Sequence, residues 1–435
     1  MEKILMKLRK TAKYTGIEIK ESEFPLLKIL SDVKILSSKN MHLYYRELHN
    51  GQRSQNAISN RLAKLVDSGV LQRISKSTKY NTLLYFYKLG SRGYWILEQE
   101  GYLTPKQVES RKKYQYATKV PPPHNEGVAS CIIHLIATLQ KQGVPLEVIK
   151  TSQRGEVSSH FLMNAHQRVL AEIVPDWVME TDEYLICLEI DTGNQSLSVI
   201  RNKYNRYCAF LTRKNSEKTL LVIFVSLDKG TPRMKRVGSL KGAFPSMEEW
   251  PEKLELMVLP SSRLSGVLIR VLADKLTIHP VRQKELSYAW MKTSIKQVSS
   301  ISSTSMGEVF TDKFFNEEFT APLFVAILPS PDEELGLIAI SVEEGAVRSR
   351  QWVEKLIKRI PIMNLSKSVN CHLQLLLVYE TSDGAEGDVL GVKPLNGMYG
   401  VSLETLTNAA PGEWKYPFEF QYLTHYQKKN LPWIK

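Results

Sequence analysis

The residues best suited to chemistry in this 435-residue sequence are three carboxylates near its centre. The segment Tyr184–Asp191 (YLICLEID) predicts a β-strand, and because side chains alternate across a sheet, Glu189 and Asp191 share one face. Asp176, which follows Pro175, is predicted on the preceding strand, within reach of this pair. Clustered carboxylates repel each other unless a cation or a proton compensates them, and a hard divalent cation suits oxygen ligands. The spacing therefore predicts that Asp176, Glu189 and Asp191 bind Mg²⁺ or Mn²⁺.

Each of these acids also has a structural interpretation that stays open. An aspartate after a proline is often a turn residue, which would account for Asp176. Glu189 and Asp191 could instead form salt bridges with the basic residues that follow them, which are Arg201, Lys203 and Arg206. Lys203 taken alone is an ordinary surface lysine.

The elements predicted around the acids have the order αβββαβ. They are a helix over His124–Gln142, a strand over Pro145–Lys150, the strands that carry Asp176 and Asp191, a helix that contains Lys203, and a strand over Leu220–Leu227. The last strand (LLVIFVSL) is almost continuously apolar, which is typical of a strand covered on both faces of a sheet. The order predicts an α/β domain with the acids at the end of a buried strand.

Pro175-Asp176 followed by Glu189-x-Asp191, within αβββαβ, resembles the PD-(D/E)xK nuclease core. The string EIDTG followed by Lys203 and Tyr207 is more specifically similar to the replication-relaxation family of plasmid and mobile-element proteins. That family joins an N-terminal winged helix to a nuclease-like domain, and the resemblance covers roughly residues 24–230.

The resemblance implies a role for each matching residue. Asp176 and Glu189 would bind Mg²⁺, and Glu126 on the first helix would be an accessory acid, although a carboxylate there also suits the start of a helix. Asp191 occupies the position where the nuclease motif has lysine. Lys203 would replace that lysine from the next helix, and Arg206 beside it would contact phosphate. If Lys203 points elsewhere, the site would bind metal or DNA without cutting.

The net charge of +13 lies entirely in the first quarter of the chain. Residues 1–123 hold 23 Lys and Arg against 10 Asp and Glu, and the remainder holds 35 of each. A basic block beside a neutral body favours a module that binds a polyanion. A solvated basic surface without a partner is the alternative.

Residues 24–101 predict three helices followed by a hairpin, which is the order of a winged helix. Ile58, Leu62 and Leu65 form an apolar stripe on the third helix, and the phrase SNRLAKLVDSGVLQRI resembles a recognition helix with its first wing strand. The side chains expected to contact DNA are Gln55, Asn56, Ser59, Asn60 and Lys64 on that helix, with Lys76 and Lys79 in the hairpin turn. A core helix with a solvated face, or a winged helix that binds protein, are the competing interpretations.

The predicted fold class is mixed α/β in four segments. They are a winged-helix domain (1–101), a basic Pro-rich linker (102–123) that ends in three prolines, a nuclease-like domain (124–297) and a C-terminal α/β domain (306–435). In the last segment, IAISVEE takes the place of CLEIDTG, so that Ile340 and Val342 align with Glu189 and Asp191. That pattern favours a degenerate nuclease-like repeat with a role in dimerisation or partner binding. An unrelated α/β domain is the alternative.

Composition narrows the class of protein. Four cysteines without CxxC spacing argue against a disulfide framework or a zinc knuckle and favour a reducing cytosol. Neither a membrane span nor a signal peptide is expected. We therefore expect a cytoplasmic protein that binds double-stranded DNA in replication, relaxation or transfer of a plasmid or mobile element, with other replication or transfer proteins or a second copy as partners. The main alternative is a non-catalytic transcription or relaxosome factor in which the nuclease fold is a scaffold.

Overall fold

The computed structural model of the chain divides into two compact units, Met1–Thr192 and Gly193–Lys435. The fold is mixed α/β, as the sequence predicts. The structure describes residues 3–48, 54–77, 83–115, 123–143, 150–153, 173, 175–181, 183–213, 218–227, 231–272, 323–328, 335–365, 372–393, 395, 398–403, 418–420 and 426–428. In this part of the chain, no helix is long and apolar enough to cross a membrane.

The first unit begins with a β-hairpin, three helices and a second hairpin. Their bounds are β1 Ile4–Leu8, β2 Ile17–Lys20, α1 Phe24–Val33, β3 Leu36–Ser37, α2 Ser38–Leu48, α3 Gln55–Asp67, β4 Leu71–Ser77 and β5 Leu83–Leu89. β1 and β2 pair antiparallel, and β3, β5 and β4 form a three-stranded antiparallel sheet in that spatial order. The predicted order of three helices and a hairpin is present, with β3 as an additional short strand.

Local chemistry explains the bounds of α3. The Ser54 side chain accepts a hydrogen bond from Ala57 N at 3.2 Å, which satisfies one of the free N–H groups at the helix start. At the other end Gly69 adopts φ +74°, a left-handed conformation that glycine reaches without steric cost. Ile58, Leu62 and Leu65 are at most 2% exposed, so the apolar stripe faces the core.

Residues 102–123, predicted as a linker, contain a helix. α4 (Ser91–Gln99) is followed by α5 (Pro105–Gln115). α5 has almost no apolar stripe, which is why its sequence looks like a basic linker. Arg111 holds it, because its guanidinium forms a buried ion pair with Asp32 of α1 at 2.7 Å. Of the three prolines at the end of this segment, Pro121 and Pro122 lie outside the described residues. Pro123 is the first residue of the next helix.

The acidic segment lies in the rest of the first unit. α6 (Pro123–Lys141) packs against α2, and β6 (Lys150–Gln153), β7 (Trp177–Glu180) and β8 (Tyr184–Asp191) form an antiparallel arrangement in that order. α6 and β8 match the predicted helix and strand. Residues 145–149 of the strand predicted over Pro145–Lys150 lie outside the described residues, and β6 begins at Lys150.

The second unit starts with α7 (Leu197–Arg213), β9 (Thr219–Ser226), α8 (Thr231–Lys241), β10 (Leu254–Pro260) and α9 (Leu264–Leu272). β9 and β10 pair in parallel, and every residue of β9 except Thr219 is buried. Among the described elements, the order along the chain from α6 to β9 is αβββαβ, as predicted.

The remaining described elements are six strands, which form one sheet, and two helices. They are β11 Leu323–Leu328, β12 Leu335–Ser341, α10 Val347–Leu365, β13 His372–Tyr379, α11 Ser382–Gly387, β14 Met398–Ser402, β15 Phe418–Phe420 and β16 Tyr426–Lys428. The strands lie in chain order, with parallel pairing only from β12 to β14. Ile340 and Val342, aligned by sequence with the two acids, are 0% and 3% exposed and belong to the core of this sheet. The relation of this unit to a nuclease-like repeat stays a prediction.

Candidate functional site

Asp176 lies at a bend immediately before β7, where its carboxylate already has two partners. Its Oδ2 accepts a hydrogen bond from the backbone N–H of Ile190 at 2.8 Å. Its Oδ1 lies 2.9 Å from Nε2 of His124 at the start of α6. The Asp176 backbone N–H also donates to Leu188 O at 3.0 Å. Asp176 therefore links α6 to the edge of β8, and 8% of it remains exposed.

Glu189 and Asp191 are the other two predicted ligands. Both belong to β8, where they are 3% and 1% exposed, and the regular alternation of a strand places them on one face. Extending the β7–β8 register by one residue from the Trp177–Leu188 pair sets Asp176 opposite Glu189. The backbone thus brings the three predicted acids into one neighbourhood of the first unit.

The described side chains do not form a ready cation site there. Within the described residues, no group of three or more His, Cys, Asp and Glu side chains is arranged to hold a metal ion. The two oxygens of Asp176 face His124 and Ile190. Both oxygens of Asp176 are therefore already hydrogen-bonded within the protein in this arrangement. The ligand set stays a prediction from the sequence.

Glu126, the predicted accessory acid, contacts the start of α2. Its Oε1 accepts hydrogen bonds from the Ser37 hydroxyl and from Asn40 Nδ2, the latter at 2.9 Å. Its Oε2 is buried and has no hydrogen-bond partner among the described residues. Glu126 thus joins α6 to α2. Its catalytic role stays a prediction.

Lys203 and Arg206, predicted to assist at the acidic site, lie on α7 in the second unit. Lys203 is half-buried, and Arg206 is exposed. Arg201, one of the alternative salt-bridge partners, donates from Nε to Ala243 O at 2.8 Å within its own unit. Whether Lys203 serves the acids of the first unit stays a prediction.

The predicted DNA-contacting face of α3 is open to solvent. Its five polar side chains are all exposed, and they are Gln55, Asn56, Ser59, Asn60 and Lys64. Lys76 belongs to β4, although its side chain lies outside the described residues, as does the whole of Lys79. Ser59 Oγ lies 3.3 Å from His42 Nε2 on α2. The helix can therefore present amide, hydroxyl and ammonium groups to a nucleic acid.

A partly buried ion pair, which was not predicted from the sequence, fixes α3 in place. Arg61 donates to both carboxylate oxygens of Glu23, at 2.7 and 2.6 Å, and to Glu18 O. Tyr45 OH donates to Glu23 Oε1 at 2.8 Å, and burial together with this carboxylate raises the pKa of that phenol. The signal was available, because Arg61 lies three residues after Ile58 and therefore on the buried side of the helix.

Comparison with known families agrees with the resemblance stated above. The family model for replication-relaxation matches residues 27–223, close to the predicted range of 24–230. The match spans most of α1, all of α2 and α3, the β4–β5 hairpin and all three predicted acids. It points to a role in the replication or relaxation of a plasmid or other mobile element. No curated protein matches the chain.

Proposed function

We propose that this protein binds duplex DNA through α3 and the β4–β5 hairpin during replication or relaxation of a plasmid or other mobile element. The observation that carries the proposal is the exposed polar face of α3, opposite the buried stripe of Ile58, Leu62 and Leu65.

The arrangement of the first unit supports this role. Three helices followed by a hairpin, with β3 pairing to β5, correspond to a winged helix, in which the third helix enters the major groove. Asparagine, glutamine and lysine side chains are the groups that read base edges or contact phosphates there. The ion pair of Arg61 with the buried Glu23 gives this face a fixed orientation, which recognition requires.

Charge supports the same assignment. The whole formal excess of +13 lies in residues 1–123, and neutralising DNA phosphates is the main source of affinity in such complexes. The exposed Arg73 of β4 stacks 5.1 Å from the ring of Tyr85 on β5, so the hairpin also presents a cation.

Substitutions on α3 test the proposal in the full chain. We expect Lys64→Ala to weaken binding to all duplexes and to reduce the slope of log affinity against log salt by about 0.9, as for one lost phosphate contact. Asn60→Ala should change sequence preference, because base contacts specify and phosphate contacts position. Fluorescence anisotropy on labelled duplexes measures both.

The control for this test is Lys358→Ala, which removes a lysine that is 74% exposed and lies outside the basic block of residues 1–123. It should bind as the wild type does. Wild-type affinity and preference in both α3 variants would show that this helix does not enter the groove.

We propose further that the αβββαβ segment is a nuclease-like module, with Asp176, Glu189 and Asp191 as its metal ligands. The element order and the burial of all three acids support this. Calorimetry with Mn²⁺ on the wild type and on Glu189→Ala tests metal binding, and identical traces would contradict it. A supercoiled-plasmid assay tests nicking, which should disappear in Glu189→Ala.

Two observations favour the non-catalytic alternative. Asp176 is occupied by His124 and Ile190, and Asp191 stands where the nuclease motif has lysine. A protein that binds DNA, yields no nicked plasmid with Mg²⁺ or Mn²⁺, and shows no heat with Mn²⁺ would be a scaffold of this kind.

A further inference from the structure

The β1–β2 hairpin, which precedes the three helices, carries paired charges along its strands. Lys3 forms an ion pair with Glu21 at 2.5 Å, and Lys7 forms one with Glu18 at 2.8 Å. These acids raise the pKa of both lysines, mainly through the hydrogen bonds they accept. The strands of this hairpin therefore expose little uncompensated charge.

The turn of the same hairpin carries positive charges that are not paired in this way. Arg9, Lys10 and Lys13 are all exposed, and within the described residues no ion pair joins any of them to an acid. Lys13 Nζ lies 5.3 Å from the centre of the Tyr14 ring, an aromatic contact that leaves its charge uncompensated. Three positive charges are thus concentrated within five residues.

The turn is held in one conformation by its own hydrogen bonds. Thr11 N donates to Tyr14 O at 2.9 Å, and Tyr14 N donates to Thr11 Oγ1 at 3.0 Å. Arg92 at the start of α4 donates to the carbonyls of Arg9 and Thr15. Three exposed cations on a fixed turn lose less conformational entropy on binding an anion than they would on a flexible tail.

The turn lies at the end of α3. Thr15 N donates to Asp67 O at 3.2 Å. The Tyr14 ring covers Gly69, where a Cβ would come within 2.6 Å of the ring. Asn60, Lys64 and Asp67 have the spacing i, i+4, i+7, so the polar face of α3 runs towards this contact. The basic turn therefore continues the proposed DNA-binding face beyond the helix.

We propose that the β1–β2 turn, through Arg9, Lys10 and Lys13, is a second contact with the phosphate backbone of the bound duplex. This inference rests on the proposed DNA binding and adds a site outside the winged helix itself. Ammonium and guanidinium groups on a loop contact phosphates without reading bases, so the turn contributes affinity and not sequence preference.

The hairpin offers its own matched control. Lys10→Gln/Lys13→Gln and Lys3→Gln/Lys7→Gln each remove two exposed lysines from the same full-length chain, and they change the net charge equally. We expect the turn variant to lose affinity about tenfold at 0.1 M salt and to reduce the salt slope by roughly 1.8, the value for two phosphate contacts. The strand variant should show a small change in both quantities.

Two further measurements make the result decisive. Lys10→Arg/Lys13→Arg should bind as the wild type does, and thermal unfolding should show that every variant is folded. Equal losses in the turn and strand variants, or none in the turn variant, would overturn the inference. If the turn variant keeps wild-type DNA affinity and Lys64→Ala binds DNA more weakly, the proposed function stands without this site. If wild-type protein does not bind duplex DNA, both fail.

Discussion

At the scale of single residues, Asp176 shows how a predicted ligand can have a second role. The motif predicted a residue that binds a cation, and the structure places its two oxygens against His124 and the Ile190 N–H. Asp176 was predictable as an acid beside Glu189, because β8 and its neighbour could be identified from the sequence. Its hydrogen bond to His124 was not, because 52 residues separate the two and no periodicity links them.

We expect Asp176→Ala to reduce the free energy of unfolding by about 1–3 kcal/mol, because the buried Ile190 N–H would lose its acceptor. Asp176→Asn keeps an acceptor oxygen and should cost less. Urea unfolding of the full chain measures both, with the exposed Glu183→Ala as a control near the same strand. Equal stability of Asp176→Ala and the control would show that the backbone N–H finds another partner.

Glu255 on β10 predicts a dependence of stability on pH. Burial raises the pKa of its carboxyl from 4.5 to about 8, with a further contribution from the charge of Glu343, although Arg348 lies 3.2 Å away and acts in the opposite direction. Between these two pKa values the folded chain keeps a proton that the unfolded chain releases. Raising the pH through this window therefore lowers stability, by at most about 1.4 kcal/mol per pH unit.

Glu255→Gln should remove this dependence and be more stable than the wild type at pH 8.5, provided that the amide packs as the protonated carboxyl does. Thermal unfolding between pH 4.5 and 8.5 measures the difference, and Glu252→Gln, an exposed change three residues away, is the control. Parallel pH curves for wild type and Glu255→Gln would contradict the raised pKa.

At the scale of elements, the sequence pattern predicted the helices that have an apolar stripe and the strands that have a continuous apolar run. The bounds of β8 agree with the prediction, since polar residues flank its apolar run at both ends. α5 was missed, because its basic sequence has no stripe and its position depends on Arg111 and Asp32, which are 79 residues apart. An element held by one buried ion pair cannot be recognised from its own residues.

The docking of α5 is testable through that pair. Arg111→Met should lower the free energy of unfolding by about 3–5 kcal/mol, because it leaves the carboxylate of Asp32 buried without its cation. Tyr102 OH, which donates to Asp32 at 3.0 Å, compensates part of the loss. Lys106→Met on the exposed side of α5 is the matched control, and chemical unfolding distinguishes the two. A neutral Arg111→Met would mean that α5 is held by its apolar contacts.

At the scale of the whole molecule, the basic block ends at a residue where the packing of the first unit continues. The positive excess ends at residue 123, yet α6 begins there and packs against α2. Glu126 bonds Ser37 and Asn40, and Lys141 bonds Glu47 at 3.1 Å. A fragment that stops at the end of the basic block would therefore expose the apolar side of α2, which the charge count alone did not indicate.

A fragment of residues 1–143 keeps α6 and all of the positive excess. If DNA affinity comes from this region, the fragment should bind duplex DNA with the affinity and salt slope of the full chain, since the remaining residues are close to neutral. Anisotropy titrations at several salt concentrations measure both quantities, after circular dichroism has shown that the fragment is helical. A folded fragment that binds more than tenfold more weakly, with a smaller slope, would place a substantial part of the phosphate contacts after residue 143. The neutral net charge of that region would then conceal a local basic surface.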